Sequence, residues 1–208
     1  MNKSLQSISG WANFPRIQAE VFEPADRVGV RKIVVEHERI IARGNGKSYG
    51  DAALAPTLVS TLRLDRILAF DAVHGTVECE SGVLLSALLQ IIVPQGWFFQ
   101  ITPGIKEITV GGAIASDVHG KNHPRAGCFS NGLISFELMT ASGEIISCSH
   151  TVNSELFWQT CGGMGWTGVV LSAKFRLLKI SSTLMRQKNV LTNNLEDLFN
   201  TFEENRDW

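Results

Sequence analysis

The stretch Ala42-Arg43-Gly44-Asn45-Gly46-Lys47-Ser48-Tyr49-Gly50-Asp51-Ala52 constrains this chain more than any other. It follows the apolar pair Ile40-Ile41 and gathers Gly44, Gly46 and Gly50, the hydroxyls of Ser48 and Tyr49, and the cation Lys47. A strand that spills into such a loop presents backbone N–H groups with no side chains in the way, which makes a cradle for a phosphate or diphosphate. Two common phosphate loops do not fit. The P-loop spacing Gly-x-x-x-x-Gly-Lys-Ser requires a glycine at 41, where this chain has Ile41. The Rossmann fingerprint lacks its third glycine, because Tyr49 stands there, and no helix start follows to receive a diphosphate.

The loop has companions. Residues 102–132 are rich in glycine and small side chains, from Thr102-Pro103-Gly104 through Thr109-Val110-Gly111-Gly112 to Asn131-Gly132. A run this long without regular structure is usually functional or disordered, and the apolar punctuation of Ile108, Val110, Ile114 and Val118 favours order. Gly162-Gly163-Met164-Gly165-Trp166-Thr167-Gly168 makes a third glycine loop. Three such loops converging on one extended anionic ligand explain the pattern better than three unrelated turns, and a dinucleotide is such a ligand.

Size and charge set the outer limits. A chain of 208 residues, 44% apolar and 19% charged, suits one large domain or two small lobes around a real core. A net charge of −1 argues against nucleic acid as a partner. Cys79, Cys128, Cys148 and Cys161 are widely spaced with no C-x-x-C pair, so neither metal binding nor a disulfide framework is expected. The first ten residues lack the apolar core of a signal peptide, and the longest nearly apolar run, Val83 to Val93, is about half a membrane span. A cytoplasmic location is expected, with peripheral membrane association left open.

Taken in order, the chain predicts short alternating elements. Residues 1–20 are open: Trp11, Phe14 and Ile17 either pack on the domain or stay loose. A helix runs from Pro24 to about Glu36, with Val30, Ile33 and Val34 inward. Strands follow at Arg39–Arg43 and Leu58–Leu62, then a hairpin of Ile67–Phe70 and Thr76–Glu80, where Val77 and Cys79 alternate with glutamates. Ser81 is expected to cap a buried helix, Gly82 to Val93, that Pro94 ends. Strands at Leu133–Ala141, Glu144–Cys148 and Val169–Leu178, a short helix capped by Asn153 or Ser154, and a helix from Leu195 to Glu203 complete the reading.

Together the motifs carry a resemblance. Arg43-Gly44-x-Gly46-x-Ser48-Tyr49-Gly50-Asp51, Pro103-Gly104, Thr109 to Ala115, Asp117-Val118-His119-Gly120-Lys121-Asn122-His123, Leu156-Phe157-Trp158 and the third glycine loop resemble the FAD-binding domain of the vanillyl-alcohol oxidase / p-cresol methylhydroxylase superfamily. Within it, the His-Gly-Lys-Asn-His block is similar to that of oxidases acting on a polyprenyl-phosphate sugar, the flavin half of an epimerase system. The resemblance covers roughly residues 9–180. It implies an α/β (α+β) fold of the p-cresol methylhydroxylase type over residues 1–180: a small parallel-strand lobe at about 16–65 and an antiparallel-sheet lobe at about 66–180. Residues 181–208 would begin a substrate domain that the chain does not complete.

The resemblance also implies roles. Ala42, Arg43, Gly44, Asn45, Gly46, Lys47, Ser48, Tyr49, Gly50, Asp51 and Ala52 would wrap the diphosphate of FAD. Gly104, Thr109, Val110, Gly111 and Gly112 would line the dinucleotide; Ser116, Asp117, Val118 and His119 would run beside the flavin; Val170 would meet the adenosine end. Many members attach FAD covalently through a histidine in the first glycine loop. Here Lys47 occupies that place, so non-covalent FAD is expected. His119 and Lys121 are the expected catalytic residues, for removal of a hydroxyl proton and for stabilising developing negative charge. The implied substrate is the secondary alcohol of a free or lipid-linked sugar, and the implied partner a short-chain dehydrogenase. An alditol or aldonolactone oxidase, or a flavin-binding module without turnover, are the alternatives.

Overall fold

The protein is described by a computed structural model over residues 2–206. Strands β1 (Asn2–Ser9) and β2 (Arg16–Glu23), helix α1 (Arg27–Glu36), and strands β3 (Ile41–Arg43) and β4 (Thr57–Ser60) build the first layer. Its sheet runs β1-β2-β4-β3, with β1 antiparallel to β2 and the other two pairs parallel. Residues 2–20 are therefore not loose: a hairpin extends the sheet towards the N-terminus, beyond the small-lobe boundary expected at 16. In β2, Ala19 and Val21 alternate inward, whereas β1 is polar and exposed along most of its length, so it carries no period-two signal.

Helix α1 starts later than the sequence suggests. Asp26 is its N-cap, its carboxylate accepting from the Gly29 N–H at 2.7 Å, so Pro24 lies outside the helix. Val30, Ile33 and Val34 face inward as predicted. They pack with Phe22 and Val59 of the small sheet and with Met139, Val169 and Leu171 further along the chain, so α1 joins the two layers.

The second layer holds β5 (Ile67–Asp71), β6 (Thr76–Glu80), α2 (Leu85–Ile92), β7 (Trp97–Phe99), α3 (Val110–Ala115), α4 (His123–Ala126), α5 (Phe129–Gly132), β8 (Leu133–Met139), β9 (Ile145–Ser149), α6 (Ser154–Thr160) and β10 (Val169–Lys179); helix α7 (Leu195–Glu204) follows and buries none of its residues. Its antiparallel sheet runs β5-β6-β10-β8-β9, and β7 pairs with the far end of β10. The long β10 is the axis of the layer, and α2 and α3 cover its core through Leu85, Leu88, Ile92, Val110, Ala113 and Ile114. A small parallel-strand sheet beside a larger antiparallel one is the two-lobed α/β (α+β) architecture expected from the sequence.

Local expectations are met or corrected at the two ends of α2 and in residues 102–132. Ser81 does not cap α2. The helix begins at Leu85, and its first N–H groups donate to the Ile108 and Lys106 carbonyls at 2.9 Å each, so loop carbonyls take the part expected of a hydroxyl. Helix α2 does end at the approach to Pro94, at Ile92 and not Val93, and Pro94 itself sits in a 3-10 turn, Val93–Gln95, closed by Gly96 at φ +77°. Residues 102–132 are not irregular throughout, since they contain α3, α4 and α5. Glycine disfavours helix, but burial of Val110, Ala113 and Ile114 against β10 overrides that local preference.

Candidate functional site

The three glycine-rich loops meet in one cleft between the two layers. The first loop is held from below by Arg43, whose Nη1 donates to the Ala53 carbonyl at 3.1 Å and Nη2 to the Ser9 carbonyl at 2.7 Å. Burial lowers the pKa of this guanidinium. Gly46 crosses over it at φ +63°, and a Cβ there would collide with the guanidinium, so glycine is required twice over. Trp11 N–H donates to the Ser48 carbonyl at 2.9 Å, and Lys47 Nζ lies 5.2 Å from the centre of the Trp11 ring. Asn45 Nδ2 reaches the Glu107 carbonyl at 2.8 Å and ties the first loop to the second. Among the described residues, no protein acceptor takes the backbone N–H groups of 45–53. These residues are half-buried to exposed, so their donors are open to solvent and to a bound ligand.

The second loop works differently. Thr109 caps α3, its Oγ1 accepting from the Gly112 N–H at 3.1 Å; Val110 N–H donates to the Val83 carbonyl at 2.9 Å and Gly111 N–H to the Ser81 carbonyl at 2.8 Å. These donors are already used, so this loop supplies surface, not hydrogen bonds. The third loop is pinned to the other end of α3 by Gly162 N–H to the Ile114 carbonyl at 3.1 Å and Met164 N–H to the Ala115 carbonyl at 2.8 Å. Helix α3 is thus the post on which two of the three loops hang.

Of the residues assigned to the cofactor from the sequence, Ala42, Gly44, Asn45, Gly46, Lys47, Ser48, Ala52, Thr109, Gly111, Gly112, Ser116, Val118 and Val170 line the cleft. The others stand elsewhere. Arg43 is the brace beneath the loop, and Val110 is fully buried in the core. Tyr49, Gly50, Asp51 and Gly104 are exposed. Asp117, at φ +38°, turns its carboxylate to the Ser130 N–H at 2.8 Å and Ser130 hydroxyl at 2.9 Å. His119 and Lys121 are exposed just beyond the end of α3. His119 bridges antiparallel to Cys128, and its ring centre lies 5.5 Å from that of His123. Asn122 Nδ2, donating to the Gln100 carbonyl at 2.8 Å, fastens this turn.

Several lining residues escaped the sequence reading: Ala53, Thr61, Ser81, Ile108, Ala115, Thr160, Met164, Gly165 and Gly168. The third glycine loop was visible as a motif, and Gly165 and Gly168 follow from it. Ser81 carried a signal that pointed to the wrong role.

The comparisons with known proteins fall on this geometry. Residues 20–149 match the FAD binding domain family. The chain belongs to that family. This FAD domain is 35% identical over 198 residues to the decaprenylphosphoryl-β-D-ribose oxidase of Mycolicibacterium smegmatis, covering 91% of this chain and 43% of the relative. It is 30% identical over 197 residues to the L-gulonolactone oxidase of Scyliorhinus torazame, covering 90% of this chain and 44% of the relative. With cytokinin dehydrogenase 4 of Oryza sativa subsp. japonica the identity is 28% over 182 residues, covering 81% of this chain and 32% of the relative. The FAD domain spans less than half the length of these relatives.

The cleft itself fits FAD. Among its described lining residues Lys47 is the one charged side chain, and none is a carboxylate. The free N–H groups of 45–53 suit the diphosphate, while Ile108, Val118, Met164 and Val170 offer apolar walls for the rings. A buried hydroxyl, Ser81 Oγ, has no partner in the protein. A Cβ on Gly111 would lie 2.9 Å from Ser81 Cβ, so glycine keeps that wall open.

Proposed function

We propose that this FAD domain belongs to an oxidoreductase that oxidises a secondary alcohol of a sugar or polyprenyl-phosphate sugar. The observation that carries the reading is the His119-Gly120-Lys121-Asn122-His123 turn, fastened at the end of α3 next to the cleft. Similarity over nine-tenths of the chain to an oxidase of decaprenylphosphoryl-ribose supports it. Bound FAD supplies the hydride acceptor. The chain's own residues do the rest. The first loop would hold the diphosphate through its backbone, and Ser116 and Val118 line the cleft towards the turn. The His119 imidazole takes the hydroxyl proton at a ring nitrogen, and the Lys121 ammonium stabilises the negative charge that develops on the substrate oxygen.

FAD is held without a covalent bond, because Lys47 cannot form the histidyl link. Residues 181–208, with α7 carrying exposed Leu195, Phe199 and Phe202, form the beginning of a substrate domain. A short-chain dehydrogenase is the partner that completes an epimerisation in the cytoplasm, at or near a membrane surface. Among the described residues, no helix is long and apolar enough to cross a membrane. The likeness to L-gulonolactone oxidase supports a second reading, oxidation of an aldonolactone.

Anaerobic mixing of the FAD-loaded protein with a polyprenylphosphoryl pentose and, separately, with L-gulonolactone tests the two. Bleaching of the flavin by the lipid-linked sugar alone is expected. Bleaching by the lactone alone would replace the first reading with the second, and bleaching by neither would remove both.

A further inference from the structure

Ser81 follows β6 and lies at the seam between the two layers, with 0% exposure. Its backbone is fully used: the N–H donates to the Leu171 carbonyl at 3.0 Å, and the carbonyl accepts from Gly111. Its hydroxyl is not. Ser81 Oγ is buried and lacks any hydrogen-bond partner, the sole side-chain polar atom so placed among the described residues. Leaving a buried hydroxyl unpaired is costly, and alanine in its place would avoid the cost. Yet the residue lines the FAD cleft. Opposite it, Gly111 brings no side chain: a Cβ there would lie 3.6 Å from Ser81 Oγ, in the space beside the hydroxyl.

We infer that Ser81 is a cofactor-binding residue whose hydroxyl hydrogen-bonds the adenosine diphosphate half of FAD. The assignment to that half rests on the proposed placement of chemistry at His119 and Lys121. Gly111 stands at the start of α3 and Ser116 just past its end. The five steps from Gly111 to Ser116 place these points about 7.5 Å apart at 1.5 Å per residue. Ser81, against Gly111, is at the end away from His119. It is joined through Leu171 to the strand that carries Val170 and sits near Thr61, both on the cleft wall. No charged group lies on that part of the wall, so the hydroxyl serves as a neutral donor to a phosphate or ribose oxygen, or as an acceptor from a ribose hydroxyl.

The test is calorimetric titration of FAD and of ADP into wild type, Ser81→Ala and Ser81→Cys, with thermal unfolding of each ligand-free protein. Loss of one hydrogen bond is expected to weaken both FAD and ADP by about fivefold in the alanine variant, and similarly in the cysteine variant, which keeps the bulk. The ligand-free alanine variant is expected to unfold at the wild-type temperature or above, because an unpaired hydroxyl has gone. Unchanged affinities would overturn the inference, leaving the hydroxyl to a water. A loss of affinity matched by a lower ligand-free midpoint would also overturn it, by making Ser81 structural. Weakened FAD with unaffected ADP, or a wild type that binds FAD but not ADP, would refute the assignment to the nucleotide half. A wild type that binds neither ligand would instead remove the FAD reading itself.

Discussion

The contact between Gly44 and Thr109 locks the first loop to the second, and a double-mutant cycle measures it. A Cβ on Gly44 would overlap Thr109 Oγ1 and approach Thr109 Cβ and Cγ2 to 3.2 Å. Thr109 has nowhere to go: it is 1% exposed and caps α3 through Gly112. Gly44→Ala therefore overpacks the joint, at about 1–3 kcal/mol, and displaces a cap worth about 1 kcal/mol. The sum is about 2–4 kcal/mol. Thr109→Ala alone loses the cap, about 1 kcal/mol, and the double variant is expected to cost little more than that, because the obstructing atom is gone. The coupling, about 2–4 kcal/mol from these costs, is read from urea unfolding of the four ligand-free proteins. FAD titration of the same set should show the loop spread in Gly44→Ala and restored in the double variant. Additive costs would refute the reasoning, since they would mean that Gly44 is needed for something other than room for Thr109.

Much of this was legible because it is periodic or sterically compelled. The inward face of α1 and the alternation of Val77 and Cys79 along β6 follow from residue spacing alone. Gly46 and Gly168 declared loops because their φ of +63° and +144° suits no other residue well. What could not be read was decided by tertiary partners. Helix α3 contains two glycines and forms because its apolar side is buried. Strand β1 is polar and is ordered by pairing with β2. Ser81 looks like a cap because a hydroxyl before an apolar run usually is one; the carbonyls of Ile108 and Lys106, distant in sequence, took that role and left the hydroxyl for the cleft. Arg43 and Asp117 sit inside cofactor motifs yet spend their charged groups on the protein.

Other consequences follow from the charges and thiols. Burial pushes the carboxyls of Glu80 and Glu137 up, but Arg66 on the first, and Arg27 with Ser172 on the second, outweigh it and hold both below the ordinary value. Their contribution is thus complete above the unfolded value of about 4.3 and is lost as pH falls through the folded values. Urea midpoints should drop more steeply with acid in wild type than in Glu80→Gln; parallel curves would contradict this. Burial pushes the Cys79 and Cys161 thiols up to about 12, with nearby negative charge adding to each, and burial raises Cys148 as well. Iodoacetamide on the native protein should therefore label Cys128 first by mass spectrometry, and prior labelling of Cys161 would be the wrong result. Lys47→Gln should weaken FAD by about three- to tenfold and reduce the salt dependence of binding, while flavin remains fully released by acid precipitation in both proteins. Colour retained in the wild-type pellet would refute non-covalent binding.

The central claim is that the diphosphate is held by the unpaired backbone of residues 45–53 and not by the start of α3. Residue-resolved amide exchange and chemical shifts, followed by NMR as FAD is added, test this most directly. Amides of 45–53 should exchange fast without FAD, then shift and slow on saturation, while those of Val110 to Gly112 are protected throughout and move little. Protection gained at Val110 to Gly112 with 45–53 unchanged would contradict the account.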